Sequence, residues 1–190
     1  MLRFQRGDVG AFSELVQRHK LPLYNFLLRQ LRSRSNAQDG LQEVFLRVVQ
    51  SAAEFKHEAR FTTWVYTIAR NLCIDHLRKM SIRNHESLDR PVREDGPSLG
   101  ELTQDTHVDG SVERSARSNE LRMRIAEAIE ALPEEQREVF LLREAANLPF
   151  KEIAEITGTP ENTVKSRMRY ALERLQEALA EYEDVARSLR

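Results

Sequence analysis

Cysteine is almost missing from these 190 residues: Cys73 stands alone, so no internal disulfide can form and a reducing compartment is expected. Glycine and proline are scarce as well, at seven and six, and strand-like alternation of β-branched residues is absent. Such a chain reads as all-α. No apolar run approaches the roughly 20 residues that span a bilayer, and the opening MLRFQRGD lacks a signal-peptide core. A cytoplasmic protein with no membrane insertion is therefore expected. His19, His57, His76, His85 and His107 are scattered, and Cys73 with His76 offers two ligands at most, short of a zinc set. Gly-rich phosphate loops and nucleophile motifs are also missing. No catalytic residue, metal or cofactor is assigned, and the chain is not expected to be an enzyme.

What is present is charge, 31% of the residues, beside 41% hydrophobic content that can fill one or two small cores. The net charge of -1 hides an uneven distribution: residues 1–80 carry 13 Lys/Arg against 7 Asp/Glu, whereas 81–118 and 119–190 are both net acidic. A basic first part hints at nucleic acid, yet the balanced total does not suit a protein that binds DNA tightly alone. Residues 81–118 lose helical periodicity and collect Pro91, Gly96, Pro97, Gly100 and Gly110 among Asp, Glu and Ser. They read as an acidic flexible linker between domains at 1–80 and 119–190.

In the first domain, Gly7-Asp8 followed by Ala11-Phe12 marks a helix start, and the helical pattern of Phe12–Leu31 is interrupted by Pro22, which should kink or split it. Gln38–Ala53 places Leu41, Val44, Phe45, Val48 and Val49 on a buried face, leaving Asp39, Gln42, Glu43 and Arg47 outside. Gly40 weakens the start of that helix or moves it to Leu41. After a polar loop, Thr62 or Thr63 caps a helix that runs to about Lys79. Trp64, Val65, Ile68, Ala69, Leu72, Cys73, His76 and Leu77 form its apolar stripe. Thr67, Arg70, Asn71, Ile74 and Arg78 share another face, flanked by Arg60 and Lys79. Cations with amides and aromatics suit a nucleic-acid strand, although an ordinary amphipathic helix with a basic outside has the same composition.

The last domain carries Leu121, Ile125, Ala128, Ile129 and Leu132 at helical spacing, then a helix opened by Pro133-Glu134-Glu135. A short helix over 149–156 leads to Thr157-Gly158-Thr159, where Gly158 can turn left-handed, Thr159 can cap and Pro160 can open the next helix. That helix turns Val164, Met168, Ala171, Leu172, Leu175 and Leu179 inward. Asn162, Thr163, Lys165, Ser166, Arg167, Arg169 and Tyr170 crowd its first turns. The layout is a helix-turn-helix, whose second helix enters the major groove.

The first of these stretches supplies Asp39, Gln42, Glu43 and Phe45, then Thr63, Trp64, Val65, Tyr66, Ile68, Ala69, Arg70, Asn71, Asp75, Leu77 and Arg78. It resembles the second conserved region of the extracytoplasmic-function (ECF) group of bacterial RNA polymerase sigma factors. Residues 132–175 resemble the fourth conserved region of the same group, with Phe150 and Tyr170 as departures. The resemblance implies a factor that binds core RNA polymerase and directs promoter-specific initiation on promoter DNA. Asp39, Gln42 and Glu43 would dock on the polymerase. Lys56, Arg60, Phe61, Thr63, Trp64, Arg70 and Asn71 would read and melt the −10 element, Asn71 lining a pocket for an extruded base. Asn162, Thr163, Lys165, Ser166, Arg167, Arg169 and Tyr170 would contact the −35 element. An anti-sigma factor is an expected partner. Two alternatives stay open: a stand-alone helix-turn-helix regulator using 119–190 alone, and a helical adaptor without DNA contact.

Overall fold

The computed structural model describes residues 1–56, 60–86 and 112–182. Among them the secondary structure is helical throughout: α1 (Leu2–Gln5), α2 (Val9–Leu31), α3 (Arg34–Gln50), α4 (Phe61–Glu86), α5 (Val112–Ala131), α6 (Glu134–Glu144), α7 (Phe150–Thr157) and α8 (Glu161–Ala178). Short 3-10 turns at Ala52–Glu54 and Ala180–Tyr182 complete it. The expected linker lies outside the described residues over 87–111, while 81–86 continue α4 and 112–118 open α5. The described residues fall into two compact units. One holds α1 to α4 with Leu141–Glu161, and therefore α7; the other holds the described residues from 112 to Phe140 and from Asn162 to Tyr182.

In the first unit α2, α3 and α4 pack on one another because each has a stripe of large apolar residues at helical spacing. Leu23, Phe26, Leu27, Val44, Val48, Val65, Tyr66 and Ala69 are fully or nearly fully buried. The Tyr66 ring meets Phe26 edge to face at 5.4 Å, the favoured geometry for an aromatic pair. Tyr66 is thus a core residue, and burial pushes its hydroxyl pKa upward. Asp8 caps α2 by accepting a hydrogen bond from the Ala11 amide at 3.1 Å, the start that Gly7-Asp8 predicts.

Several expectations need correction. Pro22 lies inside one unbroken helix, α2, and neither ends nor splits it. Its missing N–H deprives the Arg18 carbonyl, and Arg18 is solvent-exposed, so water can satisfy that oxygen while Leu23, Phe26 and Leu27 hold the segment in the core. The next helix starts well before Leu41: Ser33 caps α3 by accepting from the Asn36 amide, and Gly40 sits buried in mid-helix. A Cβ built on Gly40 would stand 3.4 Å from Leu72 Cδ2 and 3.6 Å from both Leu27 Cδ1 and Leu31 Cδ1. The glycine lies where α3 comes close to side chains of α2 and α4. Helix α4 begins at Phe61, so Thr63 is inside its first turn and is no cap. Val49, placed in the core by its spacing, is exposed because it lies at the edge of the stripe defined by Val44 and Val48.

The second unit buries Ala126, Ile129, Leu132, Val139, Val164, Met168, Ala171 and Leu175. Leu172 was expected inside and is 49% exposed. With Leu121, Ile125, Leu175, Leu179 and Tyr182 it lines an open groove of about 550 Å³. Ile125 is exposed at the same groove rather than buried in the core.

Candidate nucleic-acid and polymerase surfaces

The α3 surface is the simplest. Asp39 and Gln42 are exposed, and Glu43 is half-buried with its Oε1 accepting from Arg47 Nε at 2.8 Å one turn on. Such an exposed i,i+4 pair stabilises the helix by only about 0.3–0.5 kcal/mol. Its consequence is orientation, since Arg47 aligns one oxygen of Glu43. Leu46 (50% exposed) and Val49 (41%) extend the strip with apolar area that the periodicity did not reveal.

At the start of α4 four rings converge. Phe55 and Trp64 have centroids 5.0 Å apart, Phe61 and Trp64 6.0 Å, and His19 and Phe61 5.2 Å. Phe55 is buried, whereas Phe61 and Trp64 are half-buried and keep part of their faces accessible. Phe55 and His19 are participants that sequence reasoning missed; the signal was available only as aromatic composition, since His19 comes from α2. Burial, with some help from the neighbouring Arg18 charge, lowers the His19 pKa below its usual value. Burial beside Phe61 thus favours the uncharged form of the imidazole.

The remaining −10 candidates divide. Lys56 and Asn71 are exposed, and Arg70 is half-buried. Residues 57–59, the tip of the predicted loop, lie outside the described residues. Thr67 turns its hydroxyl to the Thr63 carbonyl at 2.8 Å, so this member of the face is spent on the helix backbone. Thr63 is only 5% exposed and donates a short hydrogen bond to Oε2 of Glu152 on α7. Oε1 of the same carboxylate is 3.2 Å from Arg60 Nη1. Asn71 and Arg78, farther along α4, lie open to solvent.

The turn after α7 is built as its sequence requires. Gly158 is left-handed (φ 66°, ψ 27°), and the Thr159 amide reaches back to the Ala154 carbonyl at 3.2 Å. The Thr159 hydroxyl lies 2.8 Å from that of Thr157, and α8 begins at Glu161, one residue later than the predicted cap implies. On α8, Asn162, Lys165, Ser166, Arg169 and Tyr170 are exposed and Thr163 is half-buried. Ser166 donates to the Asn162 carbonyl at 3.0 Å, which leaves its oxygen free only to accept. Arg169 stacks over the Tyr170 ring at 4.8 Å, with Glu173 3.8 Å from its Nε. Arg167 differs from these: its side chain is mostly covered and it donates to Glu135 at 2.6 Å. Tied in this way, it is poorly placed to reach a base edge.

Among the described residues no group of three or more His, Cys, Asp or Glu side chains is arranged to hold a metal, and no helix is long and apolar enough to cross a membrane.

Both ends of the chain match known families. Residues 15–81 match the family described as Sigma-70 region 2, and residues 122–175 match Sigma-70, region 4. The chain is 30% identical to the RNA polymerase sigma-H factor of Pseudomonas aeruginosa over 93% of its length and 90% of the relative. It is 33% identical to the ECF RNA polymerase sigma factor SigW of Bacillus subtilis, covering 92% of each. In three dimensions it is similar to the sigma factor RpoE of Bartonella quintana, solved in complex with the anti-sigma factor NepR (TM-score 0.71, 23% identity, 90% of this chain and 98% of that one). It is also similar to CnrH, solved in complex with the cytosolic domain of CnrY (TM-score 0.66, 20% identity, 96% and 95%). A regulator built on residues 119–190 alone would leave the region 2 match without a purpose. Taken with the two motif-bearing surfaces, these matches place the chain in the extracytoplasmic-function group of bacterial RNA polymerase sigma factors.

Proposed function

We propose a residue-level division of the sigma factor's work between a polymerase-docking and −10-reading domain that runs to the end of α4, a linker over 87–111 in place of the expected 81–118, and a −35-reading domain from α5 onward. Asp39, Gln42 and Glu43 dock on core polymerase, with Leu46 and Val49 adding apolar contact. Lys56, Arg60, Phe61, Thr63, Trp64, Arg70 and Asn71 engage the melted −10 strand: the cations neutralise phosphate, the rings stack, and Asn71 hydrogen-bonds an extruded base. Asn162, Thr163, Lys165, Ser166, Arg169 and Tyr170 meet the −35 duplex, and Arg167 contributes a backbone contact once Glu135 releases it. The observation that carries this reading is the exposed Asn71 on the same chain as a helix-turn-helix whose first turns present Asn162, Lys165 and Ser166 to solvent. An anti-sigma protein is the expected regulator, and the cytoplasm, where polymerase works, is the place of action.

Reconstitution with core polymerase on a promoter library tests the reading directly. Promoter-specific transcripts are expected from the wild-type chain. Asn71→Ala should impair promoter opening, measured by permanganate reactivity of unpaired thymines, while leaving polymerase affinity unchanged. Equal loss of both would remove Asn71 from the base pocket.

A further inference from the structure

Glu152 has no assigned part in reading DNA, yet its carboxylate sits on two groups that do. Its side chain is only 13% exposed, and both oxygens are engaged, one by the Thr63 hydroxyl and the other by the Arg60 guanidinium. The guanidinium is 74% exposed, so the ion pair alone is weak. The hydroxyl bond is sheltered, and α7 packs along α4 with Ile153 and Ile156 on the same short helix buried. A threonine hydroxyl has a single proton and cannot donate to Glu152 and to a DNA acceptor together. A carboxylate also offers a guanidinium the same paired anionic oxygens as a phosphate does.

We propose that Glu152 is an internal stand-in for the promoter strand: it occupies Thr63 and Arg60, and α7 must leave α4 before those groups engage DNA. The proposal rests on the −10 assignment of Thr63 and Arg60. It makes the free chain self-occluding at the first turn of α4, while Asn71 and Arg78 stay open. Any partner that draws α7 away uncovers the remaining contacts.

The full-length chain without polymerase provides the test, using anisotropy of a fluorescein-labelled single-stranded DNA pool of randomised sequence. Removing a negative charge strengthens DNA binding wherever it lies, so Glu155→Gln, an exposed position on the same helix, is the charge control. Glu152→Gln should bind at least about threefold more tightly than Glu155→Gln, in keeping with loss of one charge-assisted hydrogen bond. It should also red-shift emission of Trp64, the chain's one tryptophan, before DNA is added. Equal affinities for the two variants, with unshifted emission, overturn the proposal. If Glu152→Gln unfolds α7, the wild type decides: amides of 150–157 should exchange faster with saturating DNA, and unchanged protection overturns the idea. Promoter-directed transcription by the wild type is scored separately, so a failed −10 reading is distinguished from a failed latch.

Discussion

Gly40 shows what a single missing side chain does in this molecule. Its sequence position reads as a weak helix start, but it is buried mid-helix against Leu27, Leu31 and Leu72. The backbone there is ordinary helix, and a methyl group would meet its neighbours at ordinary van der Waals distance. Gly40→Ala is therefore expected to stabilise the chain by about 0.5–1 kcal/mol, read as a higher urea midpoint at unchanged slope. Asp8 makes a pH prediction. The Ala11 amide first, and the Arg3 side chain second, hold its carboxyl below the usual aspartate value. A group depressed in the folded state contributes stability above its unfolded pKa and loses it as pH falls through the folded one. Asp8→Asn should flatten that part of the acid limb, and urea melts of both proteins across acidic pH would check it. Asp8 was legible as a cap from Gly7-Asp8; its bond to Arg3, 3.0 Å from Nε to Oδ2, was not, because local patterns do not rank competing surface partners.

Among elements, α2 carries the largest departure from local rules. Proline inside a helix costs about 3 kcal/mol relative to alanine, yet α2 continues through Pro22 because the buried residues that follow it hold the segment in the core. Pro22→Ala restores a donor for the Arg18 carbonyl and is expected to stabilise the chain by about 1–3 kcal/mol, again by urea denaturation. Most helices were legible, since apolar residues recur at helical spacing in α2, α3 and α8; α1 was not foreseen, and residues 81–86 and 112–118, read as linker, belong to α4 and α5. The ends were less so. Arg32 and Asn147 take left-handed conformations (φ 54° and 51°) to end α2 and to turn between α6 and α7. Asparagine tolerates that region, but arginine gives no such sign, so Ser33 as the cap of α3 was missed. Docking of α7 on α4 was invisible for a different reason. Thr63 and Glu152 are 89 residues apart, and each fits its own helix without the other.

The whole molecule is defined electrically by a basic first part and acidic remainder that nearly cancel. Phosphate contacts supply most non-specific affinity, and their number sets the salt dependence. The chain alone should therefore bind duplex DNA no more tightly than about 10⁻⁴–10⁻⁶ M at physiological salt, the non-specific range. Held by core polymerase, the same surfaces act at high effective concentration. A salt titration of duplex binding with and without polymerase measures both terms; nanomolar, sequence-selective binding by the chain alone would contradict the division of labour. The family was legible from two motif blocks in order, and so were the exposed positions of Asn71, Lys165 and Ser166. The covered state of Thr63 and Arg167 was not, because exposure depends on which neighbour reaches a side chain and the motifs name only the side chain. Cys73 carries a practical corollary. The solitary thiol is buried on the inner side of α4, so an alkylating reagent reaches it only when that helix parts from its neighbours. Its modification rate is a built-in clock for how often the first unit opens, and cysteines introduced elsewhere for fluorophores would react long before it.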